Sequence, residues 1–286
     1  NYLAQQEVSY SSTVLPETYG KEAYMRGVED VRKEIIAGNL LQGVLSRRME
    51  IETNLSALDA YKTLRSVNPS PYLFYLDFDS YQLFGSSPEM HVKVKDEVVS
   101  MRPIAGTRKR GPTAEEDARL EKELLRDEKE RAEHLMLVDL ARNDLGRVCT
   151  PGSVEISEYM GIEHYSHVMH IVSETKGRLK DGVTGADVIR ATFPAGTVSG
   201  APKIRAIEII DDLEPLPRRF YAGLVGYVEP GGNLDTCITI RSALKKDGVM
   251  VLQAGAGIVM DSDPEKEYEE TCSKLRATAA SIGVEV

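Results

Sequence analysis

Cysteine is scarce. Cys149, Cys237 and Cys272 are the only three in 286 residues, and they form neither a CxxC pair nor an even framework. That excludes a disulfide scaffold and makes a reducing, cytoplasmic compartment the expected home. Positive charge is also short. Lys and Arg number 35 against 45 Asp and Glu, giving a formal net charge of −10 with no basic tract. Nucleic acid is therefore not an expected partner. A small anionic substrate needs local cationic groups or a metal to bind against such a field. No apolar run approaches the ~20 residues that span a membrane, so no membrane partner is expected. The opening Asn1-Tyr2-Leu3-Ala4-Gln5-Gln6 has no basic-then-apolar signal pattern, and it lacks a starting Met, which fits a piece of a longer product.

What is present is ordinary globular material, 42% hydrophobic and 28% charged, enough for a sizeable core. No repeat or Ser/Pro-rich linker divides it, so residues 1–286 read as one domain. A helical pattern over 17–38 ends at Gly38-Asn39, and Leu40–Ile51 reads as a strand. Tyr72–Asp77, Tyr81–Phe84 and His91–Met101 read as an antiparallel meander, with Val92 and Val94 inward and Lys93 and Lys95 outward. Thr113 with Glu116, then Asp127 with Glu130, signal two helix starts. His134–Ala141 is apolar nearly all round, which predicts a buried helix. Tyr221–Glu229, Asp235–Leu244 and Val249–Ala256 read as a second meander, turning at Pro230–Asn233 and Lys245–Gly248. A last helix starts with Asp263 as N-cap and Pro264 in its first position. The class is α+β: antiparallel sheets forming a sandwich-like core flanked by helices.

Three constellations can carry chemistry. The first is acidic: Glu130 and Glu133 stand i, i+3 at a helix mouth, and Glu267 and Glu270 repeat the spacing in the last helix. Two such pairs suit a hard cation such as Mg2+, although glutamates in charge-rich helices also simply face solvent. The second is a set of small-residue loops. Ala195–Lys203 precedes a helical stretch, Ile204–Asp211, with Pro202 suited to the first helical position and amides free for an anion. Gln253–Gly257 is a loop where backbone can approach a ligand, and Pro103–Arg108 is a third. None has Walker A or Rossmann spacing, and ordinary turn chemistry explains each as well. The third comprises single residues. Arg241 lies in an alternating strand opposite Ile238 and Ile240, as a solvent-side charge or a carboxylate clamp. His170 follows Val168-Met169 and reads as a core histidine or a catalyst.

Taken together, these segments resemble the chorismate-utilising enzymes, and among them the anthranilate synthase component I family. The matching stretches are Gln42–Arg47 (QGVLSR), Asn68–Tyr72 (NPSPY), Gly85–Glu89 (GSSPE), Pro103–Thr107 (PIAGT) and Asp127–Val148. They continue through Val168–Ser173 (VMHIVS), Phe193–Lys203 (FPAGTVSGAPK), Phe220–Gly223 (FYAG), Asp235–Ala243 (DTCITIRSA) and Gln253–Lys274. They span nearly the whole chain in the family's order.

The resemblance implies a Mg2+-dependent conversion of chorismate and ammonia to anthranilate and pyruvate, in tryptophan biosynthesis, with a glutamine amidotransferase subunit supplying the ammonia. Glu133 and Glu270 would bind Mg2+ directly, and Glu130 and Glu267 through water. Lys274 and the Gly255-Ala256-Gly257 backbone would lie near the ring carboxylate. Arg241 and Tyr221 would grip the enolpyruvyl carboxylate, with Thr197, Gly106 and Thr107 lining the pocket. Glu89 would be the general acid for the C4 hydroxyl, and His170 would assist pyruvate loss. Gln42 stands where isochorismate and salicylate synthases carry a water-activating lysine, and Ala105 where aminodeoxychorismate synthases carry a nucleophilic lysine. Both point to direct amination at C2. The rival readings are a 2-amino-2-deoxyisochorismate synthase, an aminodeoxychorismate synthase component I, or an inactive chorismate- or tryptophan-binding regulatory module. The family's N-terminal segment is expected to be absent, which leaves Asn68, Pro71, Tyr72 and Leu73 as a partial site for tryptophan as feedback inhibitor.

Overall fold

In a computed structural model, residues 9–164 and 168–286 are described, with the side chain of Thr107 outside the described set. The opening hexapeptide also lies outside it. The first elements are β1 (Ser12–Val14), α1 (Lys21–Ile36), β2 (Gln42–Thr53), α2 (Ala57–Val67), β3 (Tyr72–Asp77) and β4 (Gln82–Ser87). Next come β5 (Met90–Lys95), β6 (Val98–Met101), β7 (Ile104–Lys109), α3 (Ala114–Arg126) and α4 (Glu128–Val148). β8 (Glu155–His164), β9 (Val168–Arg178), α5 (Gly185–Thr192), β10 (Gly200–Ala201) and α6 (Lys203–Leu213) follow. The chain closes with β11 (Leu224–Val228), β12 (Leu234–Ile238), β13 (Ser242–Lys246), β14 (Val249–Ile258) and α7 (Pro264–Ala280). This is the expected mixture of helices with antiparallel sheets. Among the described residues no helix is long and apolar enough to cross a membrane.

Two compact units emerge, each built on its own sheet. The first runs through Pro88, resumes at Val198–Gly223 and ends with Thr239–Val286. Its sheet has the order β1-β2-β14-β13-β4-β3, with β10 alongside β2. One side of that sheet buries Ile51, Phe84, Met250 and Leu252 against Leu64, Leu275 and Ala279. A second cluster gathers Tyr24, Val28, Val31, Leu45, Ile209 and Ile258. The second unit comprises Glu89–Thr197 and Leu224–Ile238. Its sheet has the order β11-β12-β5-β6-β9-β7, with β8 on β9. Val92, Val94, Val99 and Leu234 pack there against Ala141, Leu145 and Val188.

Helix starts follow the local chemistry of the sequence. Thr113 accepts from the Glu116 amide, Asp127 from those of Lys129 and Glu130, and Asp263 from those of Glu265 and Lys266. Each satisfies amides that a helix leaves without an internal partner. The Asp247-Gly248 turn joins β13 to β14, with φ of 49° and 80°, as a two-residue hairpin of this kind requires.

Several strand readings need correction. His91–Met101 is two strands, because Asp96 and Glu97 turn the chain with φ of 51° and 63°. Neither expected meander is a single one: β3 and β4 belong to the first sheet, β5 and β6 to the second. Asp235–Leu244 likewise divides into β12 and β13, which lie in different sheets. Gln253–Gly257 is not a loop but the interior of β14, paired with β2 from Gln253↔Arg48 to Gly257↔Val44. Pro103–Arg108 is mostly β7, with a bulge between Ala105 and Thr107 where Gly106 has φ 71°. The stretch His134–Ala141 is buried on one side only, since Leu135 is 43% exposed. α1 covers a shorter span than 17–38, and Pro202 caps α6 from outside rather than opening it.

Candidate active site

In the first unit the carried-over residues meet on β14. Gly255 lies opposite Ser46 of β2, and a Cβ placed on it would meet the Leu45 carbonyl oxygen at 2.8 Å and the Tyr221 hydroxyl at 2.9 Å. Glycine at this position lets the phenol rest on the strand. Tyr221 is buried, and burial pushes its pKa up to about 12, with the charges of Arg218 and Arg241 pulling the other way. It therefore stays a neutral phenol over the physiological range. From α7, Lys274 donates to the Gly255 carbonyl at 2.9 Å and pairs with Glu270 at 2.6 Å. Tyr221, Arg241, Gly255, Lys274 and Glu270 are thus gathered, while Glu267 sits half-buried one turn earlier. The expected strand position of Arg241 is overturned. Its φ is 50°, and its carbonyl accepts from the Ser86 amide at 3.1 Å, so it occupies a turn between β12 and β13. Alternation cannot assign its face.

Asn68, Pro71, Tyr72 and Leu73 belong to the same unit. Asn68 closes α2, its carbonyl accepting from Ser86 at 2.5 Å, and Tyr72 and Leu73 begin β3 at the edge of the sheet. Pro71 and Leu73 are exposed.

In the second unit, β7, β9 and the mouth of α4 converge. His170 Nδ1 lies 3.1 Å from the Gly106 carbonyl. A carbonyl only accepts, so Nδ1 carries a hydrogen, and in the neutral form of the ring the lone pair is then on Nε2. A Cβ on Gly106 would stand 3.3 Å from Glu130 Oε2, and Glu130 pairs with Arg108 at 3.1 Å. Glu133, half-buried, follows on α4, and Thr107 lies on the β7 backbone. Glu89 lies in the same unit, just ahead of β5. It is 9% exposed and lines a cleft with His91, Arg102, Asp144 and Thr197. The Thr197 hydroxyl is buried, and among the described residues it has no hydrogen-bond partner.

The four glutamates divide between the units, Glu130 and Glu133 in the second, Glu267 and Glu270 in the first. Among the described residues no group of three or more His, Cys, Asp or Glu side chains is arranged so that it could hold a metal ion. The donors are all carboxylates, the oxygen chemistry that Mg2+ prefers, and Glu130 and Glu270 now balance their charge against Arg108 and Lys274. Sequence reasoning passed over Ser46, Glu214 and Arg218. Glu214 and Arg218 stand i, i+4 beyond the end of α6, where the spacing carries no helical signal.

The profile of a family of chorismate binding enzymes matches residues 3–280. Anthranilate synthase component 1 of Spirochaeta aurantia is 64% identical over 97% of this chain and 58% of its own length. That of Aquifex aeolicus is 53% identical over 93% of this chain and 54% of its own. The crystal structure of anthranilate synthase component I from Streptococcus pneumoniae superposes with a TM-score of 0.86 at 43% identity, covering 95% of this chain and 60% of that one. A 2,3-dihydroxybenzoate-specific isochorismate synthase from Bacillus anthracis gives 0.84 at 28% identity, with 97% and 76% covered. The chain spans under two thirds of the length of the curated relatives it matches.

Proposed function

The chain belongs to the chorismate-binding enzyme family, and on that footing we propose that residues 1–286 form the catalytic domain of an anthranilate synthase component I. The reaction takes chorismate and ammonia to anthranilate, pyruvate and water. The observation that carries the reading is the floor of the first unit: a neutral Tyr221 phenol on Gly255, with Lys274 bound to the same glycine and Arg241 in electrostatic range. Cationic and donor groups concentrate there in a protein of net charge −10, as a substrate with two carboxylates requires.

Arg241 and Tyr221 take the enolpyruvyl carboxylate, while Lys274 and the Gly255–Gly257 backbone stand by the ring carboxylate. Glu89 donates its proton to the C4 hydroxyl, which leaves as water while ammonia forms a bond to C2. His170 then serves the elimination of pyruvate, with Nε2 as its proton-accepting atom. Thr197, Gly106 and Thr107 line the pocket. Glu133 and Glu270, with Glu130 and Glu267 through water, would be the residues to hold a Mg2+ ion, which would supply polarisation of the ring carboxylate. Gln42 is an amide and cannot act as a base on water, and Ala105 offers no amine. An already nucleophilic nitrogen is what remains, which supports amination over the isochorismate route. The rest of the reading is a glutamine amidotransferase partner, a cytoplasmic setting, and tryptophan as feedback ligand at Asn68, Pro71, Tyr72 and Leu73.

The test is to incubate the full-length protein with chorismate, Mg2+ and ammonium and to identify products by mass. Anthranilate and pyruvate in equal amounts are expected. Isochorismate or salicylate formed without added amine would overturn the reading, and so would accumulation of the aminodeoxyisochorismate intermediate as the end product.

A further inference from the structure

Beneath Tyr221 lies a buried polar assembly that the reaction as described leaves unused. Glu214, its side chain only 5% exposed, accepts from the Ser46 amide at 2.8 Å and the Ser46 hydroxyl at 2.7 Å. Arg218 grips the same carboxylate with both arms, Nε to Oε2 at 2.8 Å and an Nη2 hydrogen to Oε1 at 2.6 Å. The remaining donors of Arg218 reach the Val198 carbonyl at 2.5 Å and the Val44 carbonyl at 2.6 Å. Its guanidinium also lies 5.5 Å from the centre of the Tyr221 ring. One side chain therefore ties together β2, the turn before β10, the end of α6 and the tyrosine.

The hydrogen-bond directions in this assembly are forced. A carboxylate only accepts, so the Ser46 hydroxyl must donate to Glu214. Ser46 Oγ is then the acceptor for Gln253 Nε2 at 2.8 Å, which fixes the amide orientation of Gln253 on the strand that carries Gly255. Ser46 and Gly255 are cross-strand partners. Hence the strand on which the phenol rests and the cation under its ring are set by one network. Such a buried pair costs desolvation and is poor evidence of stabilisation, so fixed geometry is the more natural use.

We propose that Arg218, clamped by Glu214, is a positioning residue that holds the Tyr221 hydroxyl over Gly255, where it meets the substrate carboxylate. This rests on the reading of Tyr221 as a chorismate contact. Lysine at 218 keeps the charge but cannot span Glu214, Val44 and Val198 together, because it lacks the planar fork. Tyr221→Phe keeps the ring and removes only the hydroxyl being positioned.

The experiment is a double-mutant cycle on the full-length protein, measuring kcat and KM for chorismate and for ammonium at saturating Mg2+, with Tm recorded for each variant. Arg218→Lys is expected to raise the chorismate KM about tenfold with little change in kcat or in the ammonium KM. In the Tyr221→Phe background the same substitution should change it less than about twofold, since the group it positions is already gone. Glu214→Gln, which keeps shape but loses the charge, serves as the second entry to the cycle if Arg218→Lys folds poorly. Equal effects in both backgrounds would overturn the positioning role while leaving the substrate reading intact. A Tyr221→Phe protein with unchanged KM would remove both.

Discussion

The two units present their functional groups in different ways. In the first, the groups gather around the interior of a sheet: Gly255 is buried in β14 with partners on β2 and Tyr221 against its face, while Arg241 approaches from a turn and Lys274 and Glu270 from α7. In the second, they sit on features that depart from regular structure. Gly106 is a left-handed residue in a bulge, Glu130 and Glu133 open a helix, and Glu89 lines a cleft. A sheet interior suits groups that hold a fixed carboxylate, because neighbouring strands restrain them. Bulges and helix mouths leave carboxylates half-exposed and able to change partner, which suits acids and metal ligands. The contrast predicts that perturbing the sheet around Gly255 alters binding of substrate and that perturbing the bulge at Gly106 alters the chemical step, with the proposed metal ligands of either unit set apart from it.

The largest effects belong to the proposed metal ligands. Glu133→Gln and Glu270→Gln should each nearly abolish turnover and raise the Mg2+ requirement, whereas Glu121→Gln should do little. Titrating activity against Mg2+ checks this, and a wild-type requirement in Glu270→Gln would sink the assignment. Gly255→Ala comes next, because the added methyl meets the Leu45 carbonyl, a backbone atom that cannot step aside. A loss of about 100-fold in kcat/KM, carried mainly by KM, is expected from such a misplacement. Gly106→Ala should cost less, about tenfold, since it strains a positive φ but the atoms nearest the added methyl belong to the side chains of Ile171 and Glu130. Its loss should appear mainly in kcat; a KM effect matching that of Gly255→Ala would erase the contrast between the units.

The smallest effect is on acid stability and arises in the second unit. His134 is buried against Ser173, with Nε2 2.7 Å from the hydroxyl, and burial holds its pKa at about 4. Its folded value lies below the ordinary histidine value of about 6.5. The unfolded chain therefore takes up the proton first, and this contribution, complete above pH 6.5, is lost as pH falls towards 4. Replacing His134 with Gln should flatten the fall in urea midpoint between pH 7 and pH 5. An unchanged slope would mean that the ring is protonated inside the fold.

Much of this was legible where the controlling chemistry is local. The caps at Thr113, Asp127 and Asp263, and the turn at Asp247-Gly248, need only neighbouring residues and were readable as written. Strand ends were not. The break over Thr239-Ile240-Arg241 contains two β-branched residues and no Gly or Pro, so nothing local marks it; the change of sheet imposes it. The opposite error occurred at Gln253–Gly257, where small residues resemble a loop although close cross-strand packing requires them. Among site residues, those inside contiguous motifs were assigned through the family resemblance. Arg218 and Glu214 lie outside any periodic element, and their role depends on burial that no spacing reveals.

Arg241 remains the sharpest point of the account, because its turn conformation removes the strand argument and leaves the claim that it clamps a carboxylate. Arg241→Lys keeps the charge but loses two parallel hydrogen bonds of the charge-assisted kind, each worth roughly 1.5–3 kcal/mol. The direct measurement is kcat/KM for chorismate in wild type and Arg241→Lys at saturating Mg2+ and ammonium. The account predicts a loss of about ten- to hundredfold. Agreement between the two proteins within about twofold would contradict it and return Arg241 to the role of a surface charge.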